Sequence, residues 1–220
     1  MPGRDTRRFA NQHEAAPITV APDTLRLLNS RKEKLLSMRL LGTLETGPWA
    51  GYDYGNLSLR LSREPLELLM SGKQTSCRFP ASADDFALVH GYRPADFTVL
   101  SRGPIEPSSE TPLHWAACEA DPAVGAVVHG HIVEDHPLAP VFLEYLRERR
   151  PASTELKSKS REGAEEIGRI VRQRGPGVIL MPRHDGGFGV FSTGASLDEA
   201  VEGVLRFHED LESFARARLP

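Results

Sequence analysis

The chain has 220 residues and a mass of 24.3 kDa, 40% hydrophobic and 26% charged, which is enough apolar material for a core and excludes wholesale disorder or a fibrous chain. Its net charge of 27 − 30 = −3 sets aside duplex-coating nucleic-acid binders, which are strongly basic, and no apolar run approaches the roughly 20 residues of a membrane span. Two cysteines, Cys77 and Cys118, without Cys-x-x-Cys spacing make no disulfide scaffold and fit a reducing, cytoplasmic compartment.

Residues 1–22 read as a loosely tethered arm, rich in charge, Ala and Pro and without sustained periodicity. Arg4, Arg7 and Arg8 have no apolar stretch after them, so no secretory signal is read. Residues 23–220 read as one domain. Asp23 and Thr24 can cap a helix to about Leu41, with Leu25, Leu28, Leu35 and Leu36 near helical spacing and Gly42 then Gly47-Pro48 as stops. After a turn at Gly55-Asn56, Leu57, Leu59 and Leu61 alternate with Ser58 and Arg60 as in a half-buried strand. Further strands are expected at 66–70, 86–92 and 97–103.

Ser108-Ser109-Glu110-Thr111-Pro112 opens a helix that Asp121-Pro122 ends. Val124–Val128 is a short apolar strand leading into His129-Gly130-His131. Residues 138–150 and 161–174 read as helices joined by the polar segment 151–160. GVILM (177–181) and FGVFS (188–192) read as strands around His184, and Ser196-x-x-Glu199 is a capping box for a last helix. Strands first, then mixed helix and strand, describe a layered α/β domain.

Of eight histidines, His13, His90, His114 and His208 sit singly in arm, strand or helix and read as structural or surface residues. His129 and His131 differ. Residues i and i+2 of a strand share a face, so the pair offers two imidazoles about one metal's width apart, and Gly130 leaves space beside them. His184, at the end of another buried strand, is the best third ligand. Three histidines with a vacant fourth position form a catalytic Zn2+ arrangement, whereas a structural site uses four protein ligands. Two other His-x-His patterns fit poorly. The HxHxDH of metallo-β-lactamase-type hydrolases has two fewer residues before its Asp-His than stand here before Asp135-His136. The cupins need an all-β barrel, which the helices oppose.

GNLSLR (55–60), Ser71-Gly72, PSSE (107–110), AVVHGH (126–131), His184 with Gly187 and Gly194 after it, and SLDEA (196–200) occur in that order, with the HxH beginning 19 residues after Glu110. In these motifs the chain resembles the class II aldolase/adducin family over about residues 25–210. The resemblance implies a three-layer α/β/α domain with a central, largely antiparallel sheet. It implies a divalent metal, usually zinc, on His129, His131 and His184, with Glu110 as acid/base. It also implies a substrate phosphate held by Asn56, Ser71, Gly72, Ser108 and Ser109. Family enzymes carry further catalytic groups in the segment after HxH, where Tyr145 stands.

The implied activity is lyase chemistry on a small, phosphorylated, sugar-like substrate through a metal-stabilised enediolate, with epimerase, decarboxylase, dehydratase and non-catalytic adducin-like relatives as alternatives. The implied assembly is a homo-oligomer, commonly a homotetramer, with no nucleic-acid or membrane partner. Physical chemistry agrees with the anion site, because free N–H groups and the dipole at a helix start favour a phosphate. The chain departs from the pattern at Leu69-Met70, where Thr-Pro is common, at Asp185, where Gly is usual, and in having no Tyr beyond His184.

Overall fold

Strand β8 (Ala126–Val133) is buried at every position, as a central strand covered by helices on both faces is. Its side chains alternate between two cores. Ala126, Val128 and Ile132 join one apolar cluster, and Val127 joins the other. By the same alternation His129 and His131 share the face of Val127. The computed structural model of the protein describes residues 9–154, 159–184 and 187–218. Arg4, Arg7 and Arg8 of the arm, the centre of the 151–160 segment, and Asp185 lie outside the described residues.

Around β8 stand β1 (Ala10–Ala15), β4 (Asn56–Arg63), β5 (Leu66–Ser71), β6 (Phe86–Arg93), β7 (Thr98–Gly103), β9 (Val178–His184) and β10 (Gly187–Gly194). The eight-stranded sheet has the order β1-β7-β6-β5-β4-β8-β10-β9. Every pairing is antiparallel except that of β1 with β7. A small ribbon of β2 (Gly42–Thr43) and β3 (Asp53–Tyr54) stands apart.

Helices α1 (Pro22–Ser37), α3 (Ala139–Arg149) and α5 (Leu197–Arg216) cover one face of the sheet. Their Leu28, Leu35, Phe142, Val204 and Leu211 meet Leu57, Leu69, Val128 and Val190. Helices α2 (Thr111–Ala120) and α4 (Arg161–Arg174) cover the other, where Leu113, Ala117, Ile167 and Val171 meet Leu68, Met70, Val89, Val127 and Phe191. This three-layer α/β/α arrangement around a largely antiparallel sheet agrees with the expected fold class. Among the described residues no helix is long and apolar enough to cross a membrane.

Three local readings change. The arm is not loose throughout: residues 10–15 form β1, and a 3.0 Å hydrogen bond between His13 Nδ1 and Ser101 Oγ fastens it to β7. A polar edge strand needs only one neighbour and one half-buried face, so its composition hides it. The first helix ends at Ser37 rather than near Leu41, because Arg39 takes a positive φ of 55° and Leu40 and Leu41 turn into the core. The strand of the HxH motif does not stop before the histidines but runs through them to Val133, which makes both part of the sheet.

Candidate metal centre

Three elements deliver the four donors. His129 and His131 project from β8, His184 is the last residue of β9, and Glu110 caps the N-terminus of α2. The N-terminal dipole of α2 favours a carboxylate at that position. Asn56 begins β4 directly opposite His129 in the ladder. Gly55 before it has φ of +75°, and a Cβ there would lie 2.9 Å from the His129 carbonyl and 3.0 Å from that of Leu40. Only glycine lets the chain enter β4 so close to β8.

The side chains converge. His129 Nε2 lies 3.1 Å from His131 Nε2, 2.7 Å from His184 Nε2 and 2.8 Å from Glu110 Oε2. His184 Nε2 lies 3.1 Å from Glu110 Oε1. Asn56 Nδ2 donates to Glu110 Oε2 over 3.4 Å. Glu110 is 2% exposed, His129 0% and His131 5%.

These residues fit a divalent cation. A neutral imidazole carries one N–H, so the proton supply cannot satisfy three ring nitrogens and a carboxylate facing one another. Among the described residues the Nδ1 atoms of all three histidines have no hydrogen-bond partner. The four donor atoms lie within 4.8 Å of one another, and a tetrahedral ion with bonds of about 2.0–2.1 Å holds its ligands about 3.3 Å apart. Burial pushes the pKa of His129 down, and burial with the neighbouring His184 and His129 pushes that of His131 further. Both therefore offer lone pairs at neutral pH. Burial raises the Glu110 carboxyl, but His129 and His184 together more than reverse this and hold it well below the usual carboxylate range. Three neutral nitrogens and one carboxylate suit Zn2+ or a similar ion.

The expected anion-site residues are neighbours. Gly72 bridges Pro107, and the Ser108 amide donates to the Ser71 carbonyl over 2.9 Å. Much of their donor capacity is already committed. The Ser71 hydroxyl donates to the Leu57 carbonyl and accepts from the Leu57 amide. The Gly72 amide donates to Asp85.

Tyr145 does not join the centre. It lies in α3 on the opposite face of the sheet, packed edge-on against Phe207 and Phe214 with its hydroxyl donated to Asp210 over 2.7 Å. Burial and then Asp210 push its pKa up. A residue read into the site from its distance along the chain is therefore a core tyrosine, because α3 turns away to cover the other layer.

Two supports carried no assigned role in the sequence. The Tyr54 ring lies over that of His131, centroids 5.3 Å apart. Gly189 stands opposite His131 in β10, where a Cβ would strike the His184 ring and come within 3.0 Å of His129 Cε1. A lone glycine inside the strand FGVFS is the signal, since it marks a close approach.

The family model for the class II aldolase and adducin N-terminal domain matches residues 42–214. No curated protein matches the chain. Among solved structures, the sugar-phosphate aldolase from Thermotoga maritima is similar at 19% identity and a TM-score of 0.60, covering 88% of this chain and 94% of that one. The L-fuculose 1-phosphate aldolase is similar at 20% identity and 0.57, over 90% and 88%. An aldolase II superfamily protein from Pseudomonas syringae is similar at 14% and 0.56, over 90% and 78%. At these identities the structural likeness speaks for the fold, and the family match spans most of the chain: the protein belongs to the class II aldolase and adducin family.

Proposed function

We propose that the protein is a divalent-metal-dependent, aldolase-type lyase that cleaves or forms a C–C bond beside a carbonyl in a small, phosphorylated, sugar-like substrate. The observation that carries this reading is the convergence of Glu110, His129, His131 and His184 in one buried cluster. His129, His131 and His184 hold the metal, most suitably zinc. When bound, that ion supplies Lewis acidity towards a carbonyl oxygen. Glu110, ionised beside it, takes up and returns the substrate proton at a carboxylate oxygen, and Asn56 Nδ2 orients that carboxylate. Intact donors set the chain apart from a non-catalytic, adducin-like module, which needs none of them.

Asn56, Ser108 and Ser109 are the proposed anion donors, set at the start of α2 where the dipole favours negative charge. Ser71 and Gly72 shape the wall, since the Ser71 proton and the Gly72 amide are committed. The two free cysteines support a reducing, cytoplasmic setting. A homotetramer is the assembly that family membership supports.

Elemental analysis of protein purified without a chelating column, paired with a cleavage screen of phosphorylated ketoses, tests the reading. One divalent ion per chain with metal-dependent cleavage supports it. Absence of metal, or full occupancy in a His129→Ala/His131→Ala double variant, overturns it.

A further inference from the structure

His114, in the first turn of α2, follows the N-cap residue Glu110 by four residues, so the two lie on the same side of the helix start. It is completely buried, and its Nδ1 lies 2.8 Å from Ser58 Oγ, itself completely buried. Ser58 follows Asn56 by two residues on β4 and shares its face. The His114 ring meets Phe191 edge-on, centroids 5.3 Å apart at 81°. Phe191 pairs with His129 in the ladder, and their rings lie 6.0 Å apart. One imidazole thus ties the turn that carries Glu110 to the strand that carries Asn56 and to the residue packed on His129.

Stability alone accounts poorly for this arrangement. Among the described residues His114 Nε2 is buried without a partner, and an unpaired buried polar atom is destabilising. An apolar side chain would fill the same layer without that cost. A directional bond between two rigid elements does what an apolar contact cannot, fixing the distance between them.

We propose that His114, anchored by Ser58, is the positioning residue of the metal centre, holding Glu110 within reach of His129 and His184. The inference rests on the metal-centre reading above. The test uses the full chain loaded with cobalt(II), whose visible spectrum reports coordination geometry. Ser58→Ala and His114→Phe are expected to keep the wild-type far-ultraviolet circular dichroism while their cobalt spectra move towards that of Glu110→Gln. Cobalt affinity should fall roughly 10–100-fold, the usual effect of losing a residue that orients a ligand. Adding Glu110→Gln should cause no further fall, because both changes remove one interaction. His114→Asn, whose amide falls near the Nδ1 position, should restore much of the signal.

A folded Ser58→Ala with wild-type spectrum and affinity overturns the proposal, as do losses that simply add to those of Glu110→Gln. If His114→Phe fails to fold, Ser58→Ala decides. If the wild type binds no cobalt, the metal-centre reading fails by itself, and crystals of metal-free Ser58→Ala decide this inference. A Glu110 carboxylate still in hydrogen-bond contact with His129 overturns it, and one that has moved out of reach supports it.

Discussion

Gly189 faces His131 across the β8–β10 ladder, and the space that its missing side chain leaves is filled by the rings of His184 and His129. Gly189→Ala is therefore expected to push both rings aside while the strand pairs as before. Metal content should drop at least tenfold, with a modest loss of stability of about 1–3 kcal/mol from overpacking. Metal analysis and thermal denaturation of the same preparation measure the two effects. Wild-type metal content in Gly189→Ala would show that the rings tolerate a methyl group.

Glu110→Gln keeps the shape of the side chain and removes its charge. The histidines should still bind the metal, roughly 10–100-fold more weakly, and at saturating metal turnover should fall roughly 10²–10⁴-fold, the contribution of a positioned proton-transfer group. Near-wild-type turnover on a substrate found by the cleavage screen would remove Glu110 from the proton transfer.

Tyr145→Phe separates the core role from a catalytic one. The hydroxyl donates to Asp210, which is itself half exposed, so its loss should cost about 1 kcal/mol or less. Metal content and turnover should not change. A large fall in turnover with intact stability would return Tyr145 to the chemistry.

His114 gives a pH dependence with a definite sign. Burial pushes its pKa down to about 3, against about 6.5 for an exposed histidine. Between those values the unfolded chain binds a proton that the folded chain does not, so stability falls as pH drops through that window and is fully present above it. The slope is about 1.4 kcal/mol per pH unit for this one group. Denaturant titrations of metal-free protein from pH 7 to pH 4 should show a shallower slope in His114→Phe than in the wild type. Equal slopes would mean that another group carries the effect.

The clustering of the histidines was legible because strand alternation places His129 and His131 together and an apolar run marks each strand that carries a candidate ligand. Glu110 and Asn56 were legible only through motif order, since a helix-cap glutamate and a turn asparagine are ordinary residues where they stand. Tyr145 was misplaced because distance along the chain does not say which face a helix will cover. The Ser58–His114 bond was hidden because it joins residues 56 positions apart, neither of which is unusual in its own element. Strand β1 was hidden for a related reason: a polar edge strand owes its existence to β7 and not to its own composition.

The separation of the four donors in the chain also bears on folding. His129 and His131 are together as soon as β8 is extended, but two ligands hold an ion weakly. His184 arrives only when β9 and β10 have added to the sheet, and Glu110 only when α2 has docked on it. The His129–His184 contact that completes the centre spans 55 residues, and non-local pairings of this kind are slow to form. Retention of an ion through gel filtration would then separate fully assembled molecules from compact but unfinished ones, a distinction that secondary-structure content alone does not make.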